Sequence, residues 1–198
     1  STSIPDFPAT LCVSIDDEVV HGIPTDRVLE EGQIVSIDVG TEKNGFFGDG
    51  AITLAVGRVD PEKQRLMDVT RESLFQGIDN AVPGGKLHDI SAAVQRYVED
   101  NGFAVVRDLV GHGIGRKLHE EPPVPNFGRA GSGPTLEVGM TLAIEPMVNY
   151  GSFKVRIAAN GWTVLTRDGS PSAHFEHTVY ISKDGPVTLT NHFERENG

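Results

Sequence analysis

Two runs in this sequence carry an acid where a β-strand needs an apolar residue. Asp38 follows Ile34, Val35 and Ile37, and Glu145 follows Leu142, Ala143 and Ile144. A buried, unpaired carboxylate is costly, so a fold that accepts these runs must bring cations or hydrogen-bond donors to them. Between residues 34–39 and 50–56, two apolar β-branched runs, stands Asn44-Gly45, the signal of a two-residue hairpin loop. Such a loop pairs Lys43 with Phe46, Gly40 with Asp49 and Asp38 with Ala51. Asp38 and Asp49 then share one sheet face as diagonal neighbours, about 7–8 Å apart at Cα. Two carboxylates that close repel unless a proton or a metal ion sits between them. The second half repeats the pattern faintly, with Glu145 in the run 141–148 and Glu176 in the run 175–182.

The elements around these acids predict a single α+β domain over residues 1–198. A strand is expected at 10–15. Pro61, with Asp60 as N-cap, opens a helix carrying Leu66, Val69, Leu74 and Ile78, and Pro83-Gly84-Gly85 ends it. A second helix is expected from near Asp89 to Asn101-Gly102, and a glycine-rich strand-and-loop region covers 103–134. Further strands are expected at 141–148, 162–165 and 175–182. No linker or low-complexity segment divides the chain.

With 17 Lys+Arg against 28 Asp+Glu, the net charge of −11 argues against a nucleic-acid surface spread over the fold. One cysteine, Cys12, excludes an internal disulfide framework and a cysteine-rich zinc module. No apolar run approaches the roughly 20 residues that cross a bilayer, and the first residues lack a secretory layout. A soluble, cytoplasmic protein that binds neither DNA nor membrane is expected.

Histidine is the second chemical signal. His112 lies in Gly111-His112-Gly113-Ile114-Gly115, whose glycines let backbone crowd a site; His119 precedes Glu120-Glu121-Pro122; His21 opens His21-Gly22-Ile23-Pro24. Four carboxylates and one imidazole provide ligands for two divalent ions of the Mn, Fe, Co or Zn kind. Paired ions of that sort activate water toward a carbonyl or phosphoryl centre. The residues alone therefore point to a two-metal hydrolase. A G-x-S-x-G elbow and a phosphate-binding G-x-x-x-x-G-K-[ST] loop are absent from the sequence. Cys12 reads as a small apolar residue before it reads as a nucleophile.

The motifs then occur in a recognisable order: Cys12-Val13-Ser14-Ile15, Val20-His21-Gly22-Ile23-Pro24, Ser36-Ile37-Asp38-Val39, Gly45-Phe46-Phe47-Gly48-Asp49, Gly111 to Gly115, His119-Glu120-Glu121-Pro122, Ile144-Glu145-Pro146-Met147-Val148-Asn149, and Ser172-Ala173 running into Glu176-His177-Thr178. Together they resemble the methionine aminopeptidases of the bacterial type I class. The resemblance implies a pita-bread fold, a pseudo-two-fold antiparallel sheet with helices packed on one side. It implies two divalent metal ions: Asp38 on one, His112 and Glu145 on the other, and Asp49 and Glu176 bridging both. A hydroxide between the ions would attack the carbonyl of an N-terminal Met, with Glu145 as proton shuttle. His21 and His119 would contact the scissile amide and stabilise the tetrahedral intermediate. Phe7, Cys12, Leu118 and Trp162 would line the Met side-chain pocket. Leu118 stands where bacterial members commonly have Phe, and Ile4 replaces an aromatic.

Relative to that family the chain starts late, with about a dozen residues before Cys12, and uncovered apolar sheet surface is expected there. The implied substrates are nascent polypeptide N-termini with a small second residue, which suggests transient proximity to the ribosome and a monomeric enzyme. Two alternatives share the fold: an Xaa-Pro peptidase or prolidase, and a non-catalytic binding protein. Retention of all five ligand positions argues against the second.

Overall fold

The computed structural model describes residues 7–190; Ile4 lies outside them. The first half supplies β1 (Cys12–Ile15), β2 (Glu18–Val20), β3 (Ile34–Asp38), β4 (Thr41–Lys43), β5 (Phe46–Gly48) and β6 (Gly50–Ala55), followed by α1 (Pro61–Asp79) and α2 (Leu87–Asp100). The second half supplies β7 (Ala104–Val105), β8 (Gly111–Gly113), β9 (Glu120–Val124), β10 (Thr141–Ile144), β11 (Met147–Asn149), β12 (Val155–Ile157), β13 (Val164–Thr166), β14 (Ser172–His174), β15 (Glu176–Ser182) and β16 (Gly185–Thr188).

The main sheet runs β1-β3-β6-β15-β10-β8-β9, with β16 also on β15, and every pairing in it is antiparallel. The two halves meet where β6 pairs with β15 at its centre. Smaller sheets, β14-β11-β7 and β12-β13-β2, flank it. The Asn44-Gly45 turn sets the register expected from the sequence, with Lys43 opposite Phe46 and Asp38 opposite Ala51.

One face of the sheet is closed by the helices. Leu142, Ile144, Val179 and Ile181 form a continuous core with Leu66, Leu74 and Ile78 of α1 and Ile90, Val94 and Val98 of α2. His177, opposite Ile144 in register, points the same way and its ring lies 6.0 Å from that of Phe75 on α1. Alternation along the strands sends Ala143, Thr178 and Glu176 to the other face. The site is built there.

Several boundaries differ from the sequence reading. The run 141–148 is two strands, because Pro146 lacks an N–H and cannot continue the ladder. The chain leaves the main sheet after Ile144 and enters the small sheet at Met147. The run 175–182 holds as one strand from Glu176, and a like break precedes it at Phe175, between β14 and β15. Both breaks lie side by side, with Met147 opposite His174 and the Phe175 N–H donating to the Pro146 carbonyl. Helix α1 has the expected Asp60 cap, its side chain accepting from the Glu62 N–H, but stops at Asp79 with Asn80 as C-cap. Helix α2 starts earlier than Asp89, which instead sits at N3 and accepts from the Lys86 N–H.

Candidate metal centre

The acids expected inside strands all sit at strand ends. Asp38 closes β3, Asp49 precedes β6, Glu145 follows β10 and Glu176 opens β15. Asp38 and Glu176 are the terminal paired residues of their strands, and Asp49 and Glu145 lie one residue outside the ladder. Register brings them to one face. Ala51 is opposite both Asp38 and Glu176, so its methyl stands between the two carboxylates. Asp49 is two residues before Ala51 and shares its face. His112 is opposite Ala143, which places it diagonally to Glu145.

Asp49 is anchored through its backbone: its N–H donates to Thr178 Oγ1 at 2.9 Å, and the Thr178 hydroxyl donates back to the Asp49 carbonyl at 2.8 Å. His112 Nδ1 lies 2.9 Å from the Gly113 carbonyl. That contact assigns the proton to Nδ1 and leaves the Nε2 lone pair facing the acids. Nε2 is 3.6 Å from Glu145 Oε1 and 4.0 Å from Asp49 Oδ2. Burial lowers the His112 pKa, which favours the neutral imidazole that a metal requires.

The carboxylates are poorly compensated by protein groups. Glu176 is 2% exposed and its Oε1 has no hydrogen-bond partner. Burial pushes Asp38 up to about 7, helped by the neighbouring Asp49 and Glu145 and opposed by His174. Glu145 and Glu176 are raised well above the ordinary range by burial first, and then by the acids beside them. Crowded, buried acids with an unsatisfied oxygen are what a divalent cation neutralises. Ligand atoms of Asp49, His112 and Glu176 lie within 4.8 Å of one another, close enough for one ion to touch all three.

A cleft of about 360 Å³ opens onto this cluster. Its walls include Asp38, Asp49, His112, Glu145, His21 and His119, with apolar surface from Val20, Leu109 and Met147. His119 stacks edge-on to His112, ring centroids 4.3 Å apart. His21 holds a left-handed backbone, φ 57°, a conformation that costs a non-glycine residue about 1–2 kcal/mol. Its surroundings hold it there: the Thr163 hydroxyl donates to the His21 carbonyl, and the next N–H, of Gly22, donates to Ser14 Oγ.

The four residues expected to line a Met pocket stand outside these walls. Cys12 is opposite Asp38 in register, and its thiol is pushed up to about 12 by burial and then by Asp38 and Asp49, so it stays neutral. Leu118 covers Gly40, and Phe7 and Trp162 meet edge to face at 5.3 Å. His174 was missed from the sequence. Its ring is 1% exposed and faces Glu145.

The glycines flanking His112 are required by close approach. A Cβ on Gly111 would lie 2.3 Å from the Ala143 carbonyl oxygen, and one on Gly113 2.2 Å from that of Glu121. Gly113→Ala is expected to destabilise the fold by about 1–3 kcal/mol, because backbone cannot yield cheaply. A thermal melt with an unchanged midpoint would contradict this.

Residues 2–183 match the profile of metallopeptidase family M24. The chain belongs to that family. It is 55% identical over 184 residues to a methionine aminopeptidase of Clostridium perfringens, covering 93% of this chain and 74% of the relative. It is 50% identical to methionine aminopeptidase 1 of Bacillus subtilis, with the same coverage. The crystal structure of the Thermotoga maritima methionine aminopeptidase superposes with a TM-score of 0.90 at 50% identity, over 91% of this chain and 73% of that one. The Pyrococcus furiosus prolidase, at 22% identity and a TM-score of 0.74 over 94% of this chain and 50% of that one, shares the fold. The M24 architecture is thus the pita-bread fold, its halves joined at β6 and β15.

Proposed function

We propose that this M24 metallopeptidase removes the initiator Met from nascent chains whose second residue is small. The observation that carries the reading is the convergence of Asp49, His112 and Glu176 beneath a cleft walled by two further histidines. The donor set fits two divalent ions. Asp38 would bind one, His112 and Glu145 the other, and Asp49 and Glu176 both; oxygen donors with one imidazole suit Mn, Fe, Co or Zn. When bound, such ions polarise a carbonyl and make water nucleophilic at neutral pH.

The chain's own residues do the rest. Glu145 faces the cleft and holds the proton taken from the attacking water, then returns it to the departing amine. His21 and His119, both on the cleft wall, would donate to the peptide carbonyl and amide as charge develops. Cys12, Leu118, Phe7 and Trp162 lie outside the cleft's own walls, so they would meet the Met side chain only as it extends beyond them, and the neutral thiol of Cys12 suits an apolar contact. The apolar cleft surface excludes water from the thioether.

Hydrolysis of Met-Ala-Ser with Mn²⁺ or Co²⁺ tests the reading, and release of free Met is expected. Cleavage only of an Xaa-Pro dipeptide would assign the prolidase reading, and no hydrolysis of either would assign a binding protein. His21→Ala is expected to keep the metal stoichiometry while kcat falls on the order of 10²–10³-fold, the cost of one oxyanion donor. Calorimetric loss of an ion in that variant would show His21 to be a ligand instead.

A further inference from the structure

The chain changes sheets twice at one place, between Ile144 and Met147 and between His174 and Glu176. Glu145 lies in the first crossing, and His174 ends the strand leading into the second. His174 is fixed through its backbone. Its N–H donates to Thr53 Oγ1 at 2.8 Å, the Thr53 hydroxyl donates to the His174 carbonyl at 2.8 Å, and Ser36 Oγ lies 2.8 Å from the same Thr53 oxygen. Met147 pairs with it across the small sheet. The ring is therefore held in place from behind.

The side chain is otherwise unaccounted for. It is 1% exposed, and neither Nδ1 nor Nε2 has a hydrogen-bond partner. A buried imidazole with both nitrogens unpaired is costly, and a native structure keeps it only for a reason. The nearest carboxylate oxygen is Glu145 Oε2, 3.7 Å from Nε2. Glu145's other oxygen, Oε1, faces His112. The two oxygens of one carboxylate thus address two different imidazoles.

We propose that His174 is a positioning residue for Glu145: its Nε2–H bonds Oε2 and so fixes the direction in which Oε1 is presented to the metal site. A charge-assisted bond of about 2.7–2.9 Å needs a side-chain movement of less than about 1 Å from the observed separation, and such bonds are commonly long before ligands bind. With Nε2 as donor, Nδ1 carries the lone pair. The ligand atoms that converge are those of Asp49, His112 and Glu176; His174 acts on the site through Glu145. This rests on the proposed peptidase reading only for its kinetic test.

Three proteins decide it: wild type, His174→Leu, which keeps volume without a donor, and His174→Gln, whose amide can reach the same oxygen. Calorimetric titration of the metal-free proteins with Mn²⁺ should show unchanged stoichiometry in all three. Affinity should be weakened roughly 10–100-fold in H174L, as is usual when a ligand's supporting hydrogen bond is lost, and largely restored in H174Q. With Met-Ala-Ser, H174L should lose kcat in the same range with KM within about threefold, and H174Q should recover it. If H174L does not fold by near-UV circular dichroism, H174N, whose amide is too short to reach, takes its place. Equal Mn²⁺ affinity and equal kcat in H174L and wild type would overturn the proposal. So would the loss of one ion from the stoichiometry without rescue by Gln, which would make His174 a ligand. A wild type that binds Mn²⁺ but releases no Met would sink the peptidase reading and leave the calorimetric test standing.

Discussion

Glu176→Gln is expected to bring Met release down to the uncatalysed background while leaving the fold intact. Glu176 sits at the middle of the sheet, opposite Ala51, with Asp38 on the far side of that alanine and Asp49 diagonal to it. Its ligand atom lies within 4.8 Å of those of Asp49 and His112, and its Oε1, buried without a hydrogen-bond partner, gains from a cation. An amide of the same shape removes one negative charge and one ligand oxygen without opening a cavity. The metal-free variant should melt higher than metal-free wild type at neutral pH, because one of the crowded buried acids is gone. Mn²⁺ should raise its melting temperature little, and metal analysis should find less than the wild-type content. Glu176→Ala would also lose turnover, but it adds a cavity cost that confuses the stability reading. Wild-type stoichiometry together with wild-type turnover in Glu176→Gln would remove Glu176 from the metal centre.

The hairpin was legible because one dipeptide controls it. Asn44-Gly45 favours a two-residue loop, and that loop carries the register five positions back from Lys43 and Phe46 to Asp38 and Ala51. Helix α1 was legible from its cap and its apolar spacing. The strand breaks at Glu145-Pro146 and Phe175 were harder to read. An apolar run looks the same whether it stays in one sheet or passes to another, and only the pairing partners decide. Strand β9 gave no signal, since Glu120 to Val124 contains two prolines and two acids and is held as an edge on β8. The site residues were visible as acids out of place, but their convergence depends on β6 pairing with β15, a contact between distant parts of the chain. His174 was invisible for a further reason. A histidine in a short strand has no periodic signature, and its unpaired nitrogens exist only once the neighbouring sheet covers them. No helix among the described residues is long and apolar enough to cross a membrane.

Metal removal should destabilise the protein more at high pH than at low pH. Asp38 loses its proton near 4 in an unfolded chain and at about 7 in the folded one. Glu145 and Glu176 shift in the same direction, each raised first by burial. Between the unfolded and folded values the native state holds more protons than the unfolded state. The contribution of Asp38 to the stability of metal-free protein is therefore complete below about pH 4 and is lost as pH rises through about 7, and Glu145 and Glu176 act in the same direction. Divalent ions act in the opposite sense, since they bind the ionised carboxylates and displace the protons. Each proton displaced makes metal affinity rise about tenfold per pH unit. Saturation a hundredfold above the dissociation constant adds about 2.7 kcal/mol. Melting temperatures of chelator-treated and Mn²⁺-loaded protein at pH 5, 6, 7 and 8 should then diverge. The gap is expected to be small at pH 5 and to widen through pH 7, the metal-free curve falling while the loaded curve holds. A gap that stays constant over this range would mean that the buried acids are already ionised without metal, and that the charge of the cluster is balanced by groups other than cations.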